Sequence, residues 1–242
     1  MEGRVLLVDN HRLLGQSLAA LLREKGCEVE VIDGVVRDFG EIPAMVALAV
    51  AAGRPSVPAL VGLVDLNLAA ELDGVEVIRL LARHGLPAAV LSGVVDRLRL
   101  GGAIAAGARA VLGKDAPLED VLAVVDDLLA GREPPGRRQR EELREHYLRD
   151  QRTREPLLRK LARLTSAEQE VLWLLAHGLD VHGIALERVV SETTVRSQVR
   201  SILLKLEVHS QQEAVTLVHR SRWRPSLGSL FPLGSVGLEQ GR

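Results

Sequence analysis

Along the first 130 residues, short apolar runs alternate with longer stretches whose apolar positions recur every three or four residues. "RVLLV" (4–8), "EVEVI" (28–32), "ALVGLV" (59–64), "AAVL" (88–91) and "RAVL" (109–112) have the length and branched content of buried strands. Between them, Leu13, Leu14, Leu18, Leu21 and Leu22 share one helical face, as do Val75, Val77, Ile78 and Leu81. Strands alternating with helices in this way predict an α/β fold, a doubly wound five-stranded parallel sheet with helices on both faces. Ligands of such sheets bind beyond the carboxyl ends of the strands. The residues that close each strand are therefore the first place to look for chemistry.

After residue 130 the strand pattern stops. "GREPPGRRQREELREHYLRDQRTREPLLRK" opens on Gly and a Pro pair, then becomes densely charged with Glu145 and Arg149 at i, i+4, which predicts a partly helical linker over 131–160. From 161 to 222 the periodicity is helical throughout. Thr165 or Ser166 starts a first helix that Gly178 stops, Asp180 caps a short second through about Arg188, Ser191 caps a third, and a fourth covers about 210–220. The last segment, 223–242, is rich in Gly, Pro and Ser and is expected to be a loosely ordered tail.

Composition narrows the classes. The chain is 47% apolar and only 2% aromatic, so Leu, Val and Ala must fill the cores. Its single cysteine, Cys27, excludes an internal disulfide framework or a paired-cysteine metal site and suits a reducing cytosol. The amino-terminal apolar run is short and broken by Asp9, and "IPAMVALAVAAG" is well short of a bilayer span, so a cytoplasmic protein without membrane contact is expected. Residues 1–130 carry 12 basic and 18 acidic side chains against 19 and 14 in the remainder, which directs any polyanionic partner to the second half.

Four polar side chains close the predicted strands: Asp9, Asp65, Ser92 and Lys114. Two carboxylates at neighbouring strand ends can share a divalent cation. An ammonium group and a hydroxyl beside them suit an incoming phosphoryl group. In their order, "VLLVDNHRLLGQSLAALL", "LVGLVDLNL" with "LDGVEVIRLL", "AAVLSG" and "GARAVLGKDAPLEDVLAVV" resemble the receiver domain of bacterial response regulators, over residues 4 to 130. The resemblance implies that Asp65 accepts a phosphoryl group and that Asp9, residue 10, Asp65 and the backbone of Asn67 bind Mg²⁺. It makes Ser92 the switch hydroxyl and Lys114 the phosphate partner. Three features depart from the family pattern. Asn10 replaces an acid and weakens the metal site; "DLNLAAELDG" lacks the usual Met-Pro and is one residue longer; Val111 stands where the family places an aromatic switch residue. The segment between strands 2 and 3 is also longer than usual.

In the helical part, Val195, Val199, Ile202 and Leu206 define the buried stripe of the third helix, leaving Thr193, Thr194, Arg196, Ser197 and Arg200 on other faces. Two helices joined by a tight turn form a helix-turn-helix, and arginines on the second suit guanine edges and phosphates. "LTSAEQEVLWLLAHGL", "SETTVRSQVRSILLKLEV" and "EAV" resemble the LuxR/NarL-type DNA-binding domain without gaps. The resemblance implies that Thr193, Thr194, Arg196, Ser197 and Arg200 face double-stranded promoter DNA with help from Lys205. It also implies that the fourth helix pairs with its mate in a homodimer. Two departures lie in the scaffold helix: Gly183 inside it, and Arg188 at a position usually filled by a buried leucine, for which Leu186 is expected to substitute by a small rotation.

Together these observations predict a dimeric, DNA-binding response regulator with a receiver at 1–130, gated by phosphorylation at Asp65 through a histidine kinase, and not an enzyme. The alternatives are a phosphorylation-independent regulator controlled by a ligand or partner, a phosphohydrolase using Asp65 as nucleophile, and an interaction protein that never touches DNA. The appended helix-turn-helix and the position of Lys114 argue against the phosphohydrolase.

Overall fold

The computed structural model describes residues 2–33, 60–68, 73–93 and 96–225. The expected long segment before the third strand, part of the loop after Asp65 and most of the expected tail lie outside these residues. Strands β1 (Gly3–Asp9), β2 (Cys27–Asp33), β3 (Leu60–Val64), β4 (Ala88–Ser92) and β5 (Ala108–Gly113) form one parallel sheet in the order β2-β1-β3-β4-β5. Around it lie α1 (Arg12–Glu24), α2 (Gly74–Arg83), α3 (Arg97–Ala106) and α4 (Leu118–Leu129).

Alternation along the strands divides the apolar side chains into two cores. Val5, Leu7, Leu63 and Leu91 pack with Leu18, Leu22, Val124 and Leu128 on one face. Leu6, Val8, Val64 and Val90 pack with Val77, Ile78 and Leu81 on the other. Both cores are aliphatic, as the shortage of aromatic residues requires.

Register then decides which strand ends meet. Val8 pairs with Val64, so the residues that follow, Asp9 and Asp65, emerge side by side. Ser92 pairs with Gly113, and Lys114 follows directly, its N–H donating to the Ser92 carbonyl at 3.2 Å. Asp73 caps α2 by accepting from the Val75 N–H at 3.1 Å. Only glycine fits at the next position, because a Cβ on Gly74 would lie 2.2 Å from the Asp65 carbonyl oxygen.

The chain divides into two compact units, Met1–Asp150 and Gln151–Arg242. Most of the segment expected as a linker is one helix, α5 (Arg137–Leu161), which carries the ion pairs Arg137–Glu141 (2.9 Å) and Arg138–Glu142 (3.1 Å). Helices α6 (Ser166–Ala176), α7 (Val181–Glu187), α8 (Glu192–Leu206) and α9 (Gln211–Ser221) enclose a third, separate core built around Leu161, Leu172, Ile184, Val195 and Ile202. Among the described residues, no helix is long and apolar enough to cross a membrane.

Candidate functional site

At the carboxyl end of the sheet, Asp9 and Asp65 are each 2% exposed and Ser92 is buried beside them. Two carboxylates this close repel, and burial raises the cost because water no longer screens them. The Lys114 ammonium relieves this by donating to Asp9 Oδ1 at 3.0 Å and Asp65 Oδ2 at 2.8 Å. The other oxygen of Asp65 accepts from the Asn67 N–H at 3.0 Å. Asp9, Asp65 and Lys114 therefore meet directly, and Ser92 closes β4 at the same end of the sheet, next to Lys114.

The structure adds two residues that the strand-end pattern does not reveal. His11 donates its backbone N–H to Asp9 Oδ1 at 2.7 Å and places its ring Nδ1 2.8 Å from the Lys114 ammonium. The same ring nitrogen lies 3.1 Å from Asp9 Oδ1, so its tautomer decides whether it accepts from the ammonium or donates to the carboxylate. Arg99, on the third position of α3, donates to Asn67 Oδ1 at 2.6 Å, to the Leu66 carbonyl at 2.5 Å and to Asp73 Oδ1 at 3.4 Å. It thereby joins Leu66 and Asn67, next to Asp65, to Asp73 at the start of α2. Asn10 is exposed.

The donor set fits a hard dication. Ligand atoms of Asp9, His11 and Asp65 lie within 4.8 Å of one another, and two of them are carboxylate oxygens, which suit Mg²⁺ better than imidazole does.

In the second unit α6, α7 and α8 are capped by residues the sequence singles out. Thr165 and Glu168 form a reciprocal capping box, Asp180 accepts from the Gly183 N–H at 2.7 Å, and Ser191 accepts from the Thr194 N–H at 3.1 Å. Gly183 lies inside α7 as expected, at its third residue, where its N–H is taken up by the cap.

The stripe Val195, Val199, Ile202 and Leu206 is buried as expected, and Thr193, Thr194, Arg196, Ser197 and Arg200 are exposed. Arg196 is held by Glu192 at 3.0 Å, one helical turn away. Lys205, expected to reach phosphates, is instead bound by both carboxylate oxygens of Glu168 at 2.8 and 2.7 Å, which directs its charge toward the domain. Ser201 donates to the same carboxylate at 2.7 Å. Burial pushes the Glu168 carboxyl up, but the hydrogen bonds from Lys205, Ser201 and Thr165 outweigh it and hold the group at about 2.

Leu186 does not take the place of the usual buried leucine: it is 67% exposed. Arg188 itself fills the position, with its side chain 13% exposed, and joins two helices by donating to Glu170 on α6 at 2.9 Å and to Gln198 on α8 at 2.7 Å. A guanidinium can serve where leucine is usual because both ends of its fork find acceptors. The adjoining turn bears strain, since Val189 adopts φ +53°, a left-handed conformation that β-branched residues rarely accept.

The family described as bacterial regulatory proteins, luxR family, matches residues 162–218. Across almost the whole chain the protein is similar to transcription regulators. It is 31% identical to the DNA-binding transcriptional activator DevR/DosR of Mycobacterium tuberculosis, over 92% of this chain and 97% of that protein. It is 29% identical to the transcriptional regulatory protein YdfI of Bacillus subtilis, over 88% and 94% of the two chains. It is 29% identical to the nitrate/nitrite response regulator protein NarP of Escherichia coli, over 90% and 95%. The parallel sheet with a carboxylate-rich end, followed by a helix-turn-helix, defines a transcription regulator of the two-component class. The chain belongs to the response regulators that carry a LuxR-type DNA-binding domain.

The Glu168 network makes a test of this packing. A carboxyl whose pKa is lower in the folded chain contributes stability above its unfolded value, lost as pH falls toward the folded value. Substituting Glu168→Gln is expected to destabilise the second unit at pH 7 by up to about 3 kcal/mol, with the difference from wild type vanishing between about pH 4.5 and pH 2. Urea unfolding followed by the fluorescence of Trp173 and Trp223, both in the second unit, across that range checks it.

Proposed function

We propose that Asp65 accepts a phosphoryl group, that this event controls binding of promoter DNA by the second unit, and that the DNA-bound form is a homodimer paired through α9. The observation that supports the reading best is the convergence of Asp9, Asp65, Ser92 and Lys114 in a chain that also presents Arg196 and Arg200 on an exposed helix face.

In the proposed reaction, a carboxylate oxygen of Asp65 attacks phosphorus, forms an acyl phosphate and releases the donor's leaving group, a histidine nitrogen where the donor is a kinase. Asp9, Asp65 and the Asn67 carbonyl would hold Mg²⁺, with Asn10 contributing at most a neutral amide oxygen. The ion supplies neutralisation of phosphoryl charge when bound. Lys114 is already placed to follow the phosphoryl oxygens, and its ammonium offsets the charge that Asp65 gains. The Asn67 N–H holds one Asp65 oxygen and leaves the other on the Lys114 side. Ser92, at the end of β4, is the hydroxyl assigned to the phosphoryl oxygens.

On the DNA side, Arg196 and Arg200 are assigned to base edges and phosphates, and Thr193, Thr194 and Ser197 to backbone oxygens. Lys205 is assigned to holding α8 through Glu168 rather than to DNA. The carboxylate of Glu192 must exchange Arg196 for nucleic acid, a modest cost for an exposed ion pair.

Two outcomes test the reading. Incubation with Mg²⁺ and acetyl phosphate is expected to add one phosphoryl mass to the wild type and none to Asp65→Ala, read by intact-protein mass spectrometry. Substituting Arg196→Ala and Arg200→Ala together is expected to weaken binding to a genomic target by on the order of 1–3 kcal/mol per arginine and to flatten its salt dependence, measured by fluorescence anisotropy.

A further inference from the structure

The strand-5 position where the family carries an aromatic switch is Val111, a partly buried member of the aliphatic core. The chain nevertheless has one tyrosine, Tyr147, and it lies on α5. Its surroundings are unusual. The middle of α3 reads Gly101-Gly102, two residues that each cost a helix about 1 kcal/mol relative to Ala. The cost has a packing reason. A Cβ on Gly101 would lie 2.3 Å from the Leu143 carbonyl oxygen and 2.8 Å from Tyr147 Cβ, and one on Gly102 would lie 3.2 Å from the Tyr147 ring. Both glycines and Leu143 are buried. The glycine pair is therefore a seat, shaped by missing side chains, that admits the backbone and tyrosine of α5.

The same helix reaches the proposed acceptor. Arg99 lies two positions before Gly101 and donates to the Leu66 carbonyl and to Asn67 Oδ1, while the Asn67 N–H donates to Asp65 Oδ1. A continuous set of polar contacts thus leads from the Asp65 carboxylate to α3. A close steric contact leads on from α3 to α5. Farther along α5, Leu157 and Leu161 belong to the core of the second unit.

We infer that Arg99 and the Gly101–Gly102 seat of Tyr147 are the coupling device of this receiver, standing in for the missing strand-5 aromatic. A change at Asp65 alters the Asn67 loop, Arg99 passes the change to α3, and the fit of α5 on the glycine pair loosens. The seat exists only while position 101 lacks a side chain, since a Cβ there would lie 2.3 Å from the Leu143 carbonyl oxygen, and outward movement of α5 would expose the buried Leu143. Such a contact has docked and undocked arrangements, the kind of two-state element that coupling requires. The inference rests on Asp65 as the acceptor only for its trigger. The coupling between Arg99 and Tyr147 exists with or without phosphate.

Because Tyr147 is the single tyrosine, incorporation of 3-fluorotyrosine gives the full chain one ¹⁹F resonance. Gly101→Ala, which fills the seat, supplies the reference position of the undocked state. Without any phosphodonor, Arg99→Gln is expected to move the resonance toward that reference, with circular dichroism unchanged. If Arg99→Gln fails to fold, Arg99→Lys, which retains a single donor group, replaces it and is expected to move the resonance part of the way. Wild type with Mg²⁺ and acetyl phosphate is expected to move in the same direction in proportion to the phosphoryl mass gained. A resonance that stays at the wild-type position in a folded Arg99 variant overturns the inference, as does a phosphoryl mass gain that leaves it in place. Absence of any mass gain overturns the acceptor reading alone, and the donor-free comparison of Arg99→Gln with wild type still decides the coupling.

Discussion

The receiver depends on one ammonium group. Parallel pairing of β1 with β3 sets Asp9 and Asp65 next to each other at the end of the sheet, where each carboxylate is almost wholly removed from water. Two carboxylates this close repel, and the repulsion is relieved by a cation beside them. Lys114 provides it, touching both at 2.8 to 3.0 Å, and does so only because β5 lies beside β4 in a register that brings Lys114 level with the strand ends. Sheet order, strand register and the site's charge balance are therefore one constraint. Replacing Lys114 by an uncharged residue would leave two buried like charges and strain the same sheet that positions them.

The second unit is organised around the opposite arrangement, a single buried carboxylate that collects donors. Glu168 closes the capping box of α6 and binds Lys205 and Ser201 on α8, so one residue joins the first helix of the domain to the recognition helix. Arg188 repeats the connection from the turn, between Glu170 and Gln198. These two polar ties fix α8 while leaving its Arg196 and Arg200 face exposed. Rigidity on the inner side is what allows the outer side to present long, charged side chains without ordering cost in the domain itself.

What the sequence reveals and what it conceals divide along physical lines. The five strands were legible because each is a short, mostly continuous apolar run, as strands buried on both faces of a parallel sheet require, and β1, β2, β4 and β5 extend those runs by a residue at one or both ends while β3 begins one residue later than its run. The caps Thr165, Asp180 and Ser191 were legible because capping is local. The choice of partner by a long side chain is not local. Lys205 carries the same charge whether it faces DNA or Glu168, and only the packing of α6 on α8 decides between them. Arg188 and Leu186 illustrate the same limit: the pattern marked a leucine position filled by arginine, but two acceptors on neighbouring helices, remote in sequence, made the arginine fit. His11 and Arg99 escaped notice because neither closes a strand. Each enters the acceptor region from a helix start or a helix turn.

In the proposed function, the Asp9–Asp65–Lys114 pocket controls the DNA affinity of the helix-turn-helix. The most direct measurement is the dissociation constant of the full chain for one genomic target, with and without Mg²⁺ and acetyl phosphate, in wild type and Asp65→Asn at fixed salt. Tighter binding on addition of the donor is expected in wild type alone. Equal affinities in all four conditions, with the phosphoryl group verified on Asp65 by mass, would contradict it.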